Sequence, residues 1–471
     1  MTEPSVGVNL GGLPLDEAER EIYAHILTRS PEHDFEPTLD RMREVCDLLG
    51  EPQHAFRVVH LTGTNGKTST ARMTESLLRA HGLRTGLFTS PHLATVRERI
   101  VIDGEPIGPQ AFVDLWMDVA PIIHLADARS AERGGPRLSF FEVFTVLAFA
   151  AFADAPVDVA VIEVGLGGSW DATNVADGDV AVIGPVSLDH QQYLGSDLAG
   201  IAREKSGIIK PGAAAVIAAQ SEAVRPVIAD AVRATDARAV WEDDDIEVVA
   251  RVPAVGGQVV TLRTTAATYE DVFVPLLGEH QAHNALAALA ATEALLASGG
   301  EPAALAGNVV EKGFAATTSP GRLEIARTSP TIVLDAAHNP HGVGALADAI
   351  EENFAFETLV GVVGVLADKD AEGILAALEP VLAEVVITEV ASSARATPTD
   401  KLAEVARAVF GPDRVRVEPR LPDAIDAAVQ AAESASDRDG GVMVTGSVLL
   451  IAEARTLLGL DGARGDGRAS A

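Results

Sequence analysis

The sequence predicts an α/β protein of two doubly wound units, the second smaller than the first. Three observations predict it. Short apolar runs alternate with helical patterns almost throughout the 471 residues. Most of these runs are apolar at nearly every position, which marks strands buried on both faces of a parallel sheet. The alternation stops at Thr317-Thr318-Ser319-Pro320-Gly321 and then restarts, which marks a linker.

The first run, Val58-Val59-His60-Leu61, leads into Thr-Gly-Thr-Asn-Gly-Lys-Thr-Ser at residues 62–69 and then a helical stretch over Ala71–Leu78. A glycine-rich turn between strand and helix, ending in Lys-Thr, is a phosphate cradle. Backbone N–H groups and the helix N-terminus face the anion, Lys67 adds charge, and a hydroxyl can reach Mg²⁺. Leu61 stands where the full G-x-x-x-x-G-K-[ST] pattern has its first Gly. Further strands are predicted over Thr85–Thr89, Val157–Val164, Val180–Val186 and Ala214–Ala219. Ile246–Arg263, with Gly256-Gly257 inside it, reads as a small antiparallel excursion, and Ala282–Leu296 as a helix. Val143–Ala153 is too short to span a membrane and reads as a buried helix. Leu39–Leu49 reads as an amphipathic helix that holds Cys46 as a small core residue.

Beyond the linker, strands are predicted over Thr331–Asp335, Leu359–Val365, Glu384–Val390 and Val442–Thr445. Helices fall over Gly342–Asn353, Ala371–Leu382, Asp400–Phe410 and Pro422–Ser434. The predicted fold class is therefore α/β: an N-terminal doubly wound P-loop ATPase domain over 1–317 and a smaller C-terminal Rossmann-like α/β domain over 321–471.

Lys plus Arg total 36 and Asp plus Glu 68, a formal charge of 36 − 68 = −32. Such a surface repels nucleic acid and anionic membranes, so neither is expected as a partner, and any anion site must be locally positive. A single cysteine rules out an intrachain disulfide and suits a reducing cytoplasm. Met1-Thr2-Glu3-Pro4 lacks the basic-then-apolar pattern of a signal peptide.

In doubly wound sheets ligands sit at the carboxyl ends of strands. Ser90 follows one strand and reads as a turn residue or a hydroxyl for a metal. Glu163 leaves a buried strand toward a loop of small residues, the usual way to hold Mg²⁺ on a nucleotide. Asp171 and Asn174 read equally as turn residues. Asp189-His190 ends another strand, where the pair can bind metal or carry protons, although hard cations prefer oxygen to imidazole. Lys205, in Arg203-Glu204-Lys205-Ser206, reads first as a solvated lysine; partly buried, it could lose its proton and react. Arg322 could reach a phosphate and Asp335 a ribose. His338 could equally cap the next helix.

Together these segments resemble the Mur ligase superfamily, and within it folylpolyglutamate synthase/dihydrofolate synthase, over nearly the whole chain. The resemblance rests on Gly63 to Thr68, Ser90-Pro91-His92-Leu93, Phe141-Glu142, and Glu163 to Gly168 with Asp171-Ala172-Thr173-Asn174. It continues through Leu188-Asp189-His190 with Tyr193-Leu194-Gly195, Arg203 to Ile208, Gly321-Arg322, and Asp335-Ala336-Ala337-His338-Asn339-Pro340. It implies an ATP-dependent ligase in which a folate carboxylate is phosphorylated and the amino group of L-glutamate displaces phosphate. By the same resemblance Thr64, Asn65, Gly66, Lys67 and Thr68 cradle the ATP phosphates. Asn284 lies on the adenine side, and Arg322 and Asp335 hold ATP from the second domain. Ser90 and Glu163 look like ligands of a first Mg²⁺, and His190 of a second. Lys205 matches a lysine that the superfamily carbamylates with CO₂, and K⁺ is an optional further cation.

Lys67, His190, Lys205 and His338 are the implied catalytic set. Ser139, Phe140, Phe141, Glu142, Trp170, Asp171 and Ala172 match stretches that contact the pteroate part, with Glu36-Pro37-Thr38 as an earlier folate-facing segment. His338 and Ser447 are candidates for the glutamate side. The partners implied are folate or dihydropteroate and L-glutamate, with a cytoplasmic monomer as the working form. Ser169-Trp170 departs from the Arg-Leu common in the family, losing a cation and adding a stacking surface. Thr68 is more like the Mur enzymes than the Gly of some folate relatives. The nearest rival is a peptidoglycan-precursor amino-acid ligase. It is expected to carry a UDP-sugar-binding domain before the phosphate loop, and only about sixty residues precede Lys67, too few for one.

Overall fold

The structure is a computed structural model that describes residues 12–31, 37–189, 191–297, 299–435 and 440–460. Glu36 and His190 lie outside the described residues. Among the described residues seventeen strands form three sheets. The first sheet contains β1 (Arg57–Thr62), β2 (Thr85–Phe88), β3 (Ile100–Ile102), β4 (Glu105–Pro106), β5 (Val159–Glu163), β6 (Val180–Ile183), β7 (Ala214–Ile217) and β8 (Arg238–Trp241). Its order is β4-β3-β2-β5-β1-β6-β7-β8. Six strands, β2 and β5 to β8 with β1, run parallel, and β3 and β4 add an antiparallel edge. A second, small sheet joins β9 (Glu247–Ala254), β10 (Gly257–Arg263) and β11 (Thr268–Val274) in the order β11-β10-β9. The third holds β12 (Glu324–Thr328), β13 (Thr331–Leu334), β14 (Thr358–Val363), β15 (Glu384–Ile387), β16 (Val415–Val417) and β17 (Gly440–Thr445). Its order is β12-β13-β17-β14-β15-β16, parallel except for β12.

Two compact units result. The first takes the chain up to Ala250, then Thr261–Val272 and His283–Thr317; the second takes Arg251–Val260, Phe273–Ala282 and the chain from Thr318 onward.

In the first unit β5, β6 and β7 are buried at every residue, as the unbroken apolar runs require. One face of the sheet is covered by helices Leu15–Leu27, Asp40–Leu48, Pro109–Glu132 and Phe140–Asp154, which share one core. Helix Phe140–Asp154 has almost no polar stripe. Phe144, Phe149 and Phe152 are wholly buried, each worth about 2–3 kcal/mol of transfer free energy. Its start is set by a capping box between Ser139 and Glu142. On the same side of the sheet, over β6 and β7, helices Leu198–Ser206 and Arg225–Thr235 enclose a separate apolar cluster with Ala181, Ile183, Ala215 and Ile217.

Cys46 is 1% exposed in helix Asp40–Leu48, and burial pushes its thiol up to about 12. A buried neutral thiol is inert. The native chain is therefore expected to react with a disulfide reagent at least about 100-fold more slowly than the denatured chain. A spectrophotometric thiol titration in the presence and absence of denaturant checks this.

Candidate active site

The loop after β1 is gripped on both flanks. Thr64 donates its N–H to Pro185 O (2.9 Å), and its hydroxyl bonds both Ser187 O (3.0 Å) and Ser187 N (2.9 Å). A Cβ on Gly63 would stand 3.1 Å from the Gly184 backbone. Gly66 has φ +83° and its α-carbon faces Asn284; a Cβ there would run into the Asn284 side-chain amide. Helix Lys67–Ala80 begins at once, so its free N–H groups and positive dipole end open onto the loop. Asn65 sits between the two gripped ends.

Gly66→Ala combines a left-handed backbone with a side-chain collision, a cost of order 1–3 kcal/mol. It is expected to weaken ADP binding by about tenfold or more with the fold retained; calorimetric titration and circular dichroism measure the two.

Two lysines meet on one carbonyl. Lys67 Nζ donates to Gly63 O (3.1 Å) and Thr64 O (3.2 Å). Lys205 Nζ reaches the same Gly63 O at 2.9 Å from helix Leu198–Ser206. Lys205 is buried, not the solvated lysine of a charged turn. Burial first, and the charge of Lys67 second, pull its pKa down to about 7. The glycine loop at 165–168 is what places it: a Cβ on Gly168 would stand 2.8 Å from Lys205 O and 2.9 Å from its Cα.

Glu163 is the last residue of β5 and is buried. Its carboxylate accepts the Thr68 hydroxyl (2.9 and 3.0 Å) and the Ser90 N–H (3.3 Å). Ser90 comes from the end of β2, the strand beside β5. A carboxylate and two hydroxyl residues make a hard-oxygen set that fits Mg²⁺. Among the described residues no cluster of three or more His, Cys, Asp or Glu could hold a metal.

The pteroate-side candidates are built into the frame. Glu142 accepts Ser139 N (2.6 Å) and pairs with Arg41 (3.1 Å), both side chains buried. The Phe140 ring packs at a tilt against Phe144 (4.9 Å between centroids) and Phe141 against Phe88 (5.7 Å). Trp170 packs its ring on Gly167 and gives its backbone N–H to Glu204 (3.3 Å), while the Ser169 hydroxyl, where the family often has Arg, donates to the other Glu204 oxygen at 2.5 Å. Asp171 accepts Leu166 N (2.9 Å), Thr173 N (3.0 Å) and the Thr173 hydroxyl (2.5 Å). That hydroxyl also bonds Nε2 of the buried His60 (2.8 Å). Burial pushes Asp171 up to about 6 against these bonds and holds His60 down near 3. Ala172 is buried beside them. Thr38 accepts Asp40 N (3.2 Å) at the start of helix Asp40–Leu48.

In the second unit Asp335 directly follows β13 and is buried. Its oxygens accept Leu323 N (2.9 Å) and Ala337 N (2.8 Å), fixing the turn that carries Arg322. Burial raises its pKa, and the Arg322 charge opposes that. His338 Nδ1 bonds Ala336 O (2.9 Å). Ser447, at the end of β17, caps the following helix by accepting Leu449 N (3.2 Å).

The chain is similar to known proteins over most of its length. Residues 132–292 match the Mur ligase middle domain and residues 321–448 the Mur ligase, glutamate ligase domain. The chain is 50% identical over 457 residues to the dihydrofolate synthase/folylpolyglutamate synthase of Mycobacterium tuberculosis, covering 93% of each. It is 34% identical over 354 residues to the Bacillus subtilis enzyme of the same name, covering 73% of this chain and 79% of that one. A crystal structure of Mycobacterium tuberculosis folylpolyglutamate synthase complexed with ADP superposes with a TM-score of 0.90 at 46% identity, covering 97% of this chain and 100% of that one. Folylpolyglutamate synthase from Thermotoga maritima gives 0.79 at 31% identity, covering 95% and 98%. The chain belongs to the dihydrofolate synthase/folylpolyglutamate synthase family of Mur ligases.

Proposed function

We propose that the chain joins L-glutamate to folate, as a tetrahydrofolylpolyglutamate synthase, and to dihydropteroate, as a dihydrofolate synthase, at the expense of ATP. The observation that carries this reading is the 50% identity to a relative bearing both names, over 93% of each chain. The local geometry agrees with it. A carboxylate is a poor acyl donor, and phosphorylation supplies a leaving group. The difficulty is that two anions must meet at the γ-phosphate. Thr64 to Thr68 and the helix N-terminus hold the phosphates, and Lys67 balances their charge.

Glu163, Thr68 and Ser90 would hold Mg²⁺, which supplies neutralisation of charge developing on the transferred phosphoryl group. Lys205, with its pKa near 7, has a large neutral fraction at neutral pH, the form that adds CO₂; the carbamate would supply an anionic oxygen ligand. His190 is the proposed ligand of a second metal, and K⁺ is an optional further cation. Asn284 is assigned to the adenine side. In the second unit Arg322 and Asp335 are assigned to the nucleotide, and His338 with Ser447 to glutamate.

For the pteroate part, Phe140, Phe141 and Trp170 supply ring surface. Ser139, Glu142, Asp171 and Ala172 hold those rings and the 165–171 loop in place. The proposed division of labour is ATP and folate binding over 1–317 and the glutamate-ligase part over 321–471. Among the described residues no helix is long and apolar enough to cross a membrane; a cytoplasmic monomer is the proposed working form.

The test is a substrate panel with products read by mass spectrometry. ADP release should require both a folate, or dihydropteroate, and L-glutamate, and each product should gain one glutamyl unit at a time. Turnover on UDP-muramyl peptides alone would overturn the reading in favour of a cell-wall ligase.

A further inference from the structure

The phosphate loop is held by a circuit built on Glu242, Gln220 and His283, none of them assigned a role above. It starts at the far edge of the first sheet. Glu242 directly follows β8 and is 3% exposed. One carboxylate oxygen accepts Ala219 N (2.8 Å), just past the end of β7. The other is hydrogen-bonded to His283 Nδ1. Each oxygen begins one arm.

The first arm runs through Gln220, the neighbour of Ala219. Its amide donates to Gly184 O (3.0 Å) and accepts Val186 N (3.1 Å), replacing a strand partner for the chain leaving β6. That stretch is the one that holds Thr64 through Pro185 and Ser187 and lies against Gly63. The second arm runs through His283 to the adjacent Asn284, whose side chain lies against Gly66. The two arms therefore end on the two ends of Gly63–Gly66. A cradle of N–H groups binds phosphate well only if their spacing is set before the ligand arrives, because ordering the loop on binding subtracts from affinity.

We infer that Glu242, acting through Gln220 and His283, is a positioning residue that pre-sets the phosphate loop and tunes nucleotide affinity. The inference rests on the loop's proposed role as the nucleotide site. Loss of Glu242 removes the acceptor of a buried N–H and the partner of His283 together, so both ends of the loop loosen. The effect is selective for nucleotide, since neither arm touches Ser139–Glu142 or Trp170 in its course.

The experiment measures ADP binding by calorimetry with Mg²⁺ and without folate or glutamate, then steady-state kinetics. Glu242→Ala is expected to raise the ADP Kd about tenfold. Glu242→Gln keeps an acceptor for Ala219 N, and His283→Gln keeps the buried carboxylate; each should raise it about threefold. KM for ATP should rise in the same order, with KM for folate and glutamate within about twofold of the parent. Unchanged ADP affinity in Glu242→Ala and His283→Gln would overturn the inference. So would an equal rise of KM for all three substrates, the mark of a merely structural role. If Glu242→Ala does not fold, His283→Gln decides, since that side chain is 40% exposed. Because ADP binding needs no folate, failure of the folate assignment leaves this result standing; a parent chain that binds no ADP fails the nucleotide reading itself.

Discussion

Lys67→Ala is expected to lower kcat/KM by about 10³-fold or more, with no loss of folded structure. The reasoning is electrostatic. Lys67 is the loop's own cation, and its ammonium is drawn in by Gly63 O and Thr64 O. Removing it leaves the developing negative charge of phosphoryl transfer to N–H dipoles and metal alone. Such a term is worth about 3–4 kcal/mol. Lys67→Arg keeps the charge but not the compact head, and the space between the two carbonyls suits an ammonium; it should recover only part of the loss. Coupled ADP-release kinetics and far-ultraviolet circular dichroism make the comparison. Near-parental turnover in Lys67→Ala would remove the loop from the reaction.

The second large effect is expected at Lys205. Lys205→Ala and Lys205→Arg should each lose about 10²-fold or more in kcat, for different reasons. Alanine removes the nitrogen. Arginine keeps a cation that stays protonated at all working pH values, so it cannot add CO₂. Added short carboxylic acids should restore part of the activity of the alanine variant and none of the arginine variant. Full activity in Lys205→Arg would show that a cation is all the site needs. The parent should also respond to bicarbonate as pH rises through about 7, the point to which burial and Lys67 bring this lysine, because its neutral fraction grows there. For stability the sign is the same. The folded state binds fewer protons than the unfolded one between about 7 and the ordinary lysine value of 10.5. The Lys205 contribution therefore becomes less unfavourable as pH climbs through that window.

Much of this site is legible in the sequence because its chemistry stands where strands end. The phosphate loop, Ser90 and Glu163 all follow apolar runs, and the structure brings Thr68, Ser90 and Glu163 together. The strands of the central parallel sheets are legible for the same reason: full burial makes their runs continuous. What escapes is short or half-exposed. β3, β4, β8, β11, β12 and β16 are edge or antiparallel pieces. In β11 only three of seven residues are buried, so its pattern is that of a polar stretch.

Two kinds of site residue escape as well. Gln220 and Glu242 are single polar residues outside any motif, and only the fold brings them to His283. Ser139 and Glu142 carried a usable signal, the Ser-x-x-Glu of a capping box ahead of an apolar run. Their placement at a helix start was readable, whereas the Arg41 partner of Glu142 lies about a hundred positions away and was not.

The phenylalanine-rich helix Phe140–Asp154 also bears on how the chain is made. It has no face that water would welcome, and its cover comes partly from helices Leu15–Leu27 and Asp40–Leu48, made long before it. The strand that follows, β5, must find β1, where Arg57 pairs with Val159 about a hundred residues on. Such a pairing is slow to form. During synthesis the N-terminal helices stand ready as a waiting lid for the greasiest segment of the chain. A nascent chain that lost them would present that segment to its neighbours on the polysome, where association competes with folding.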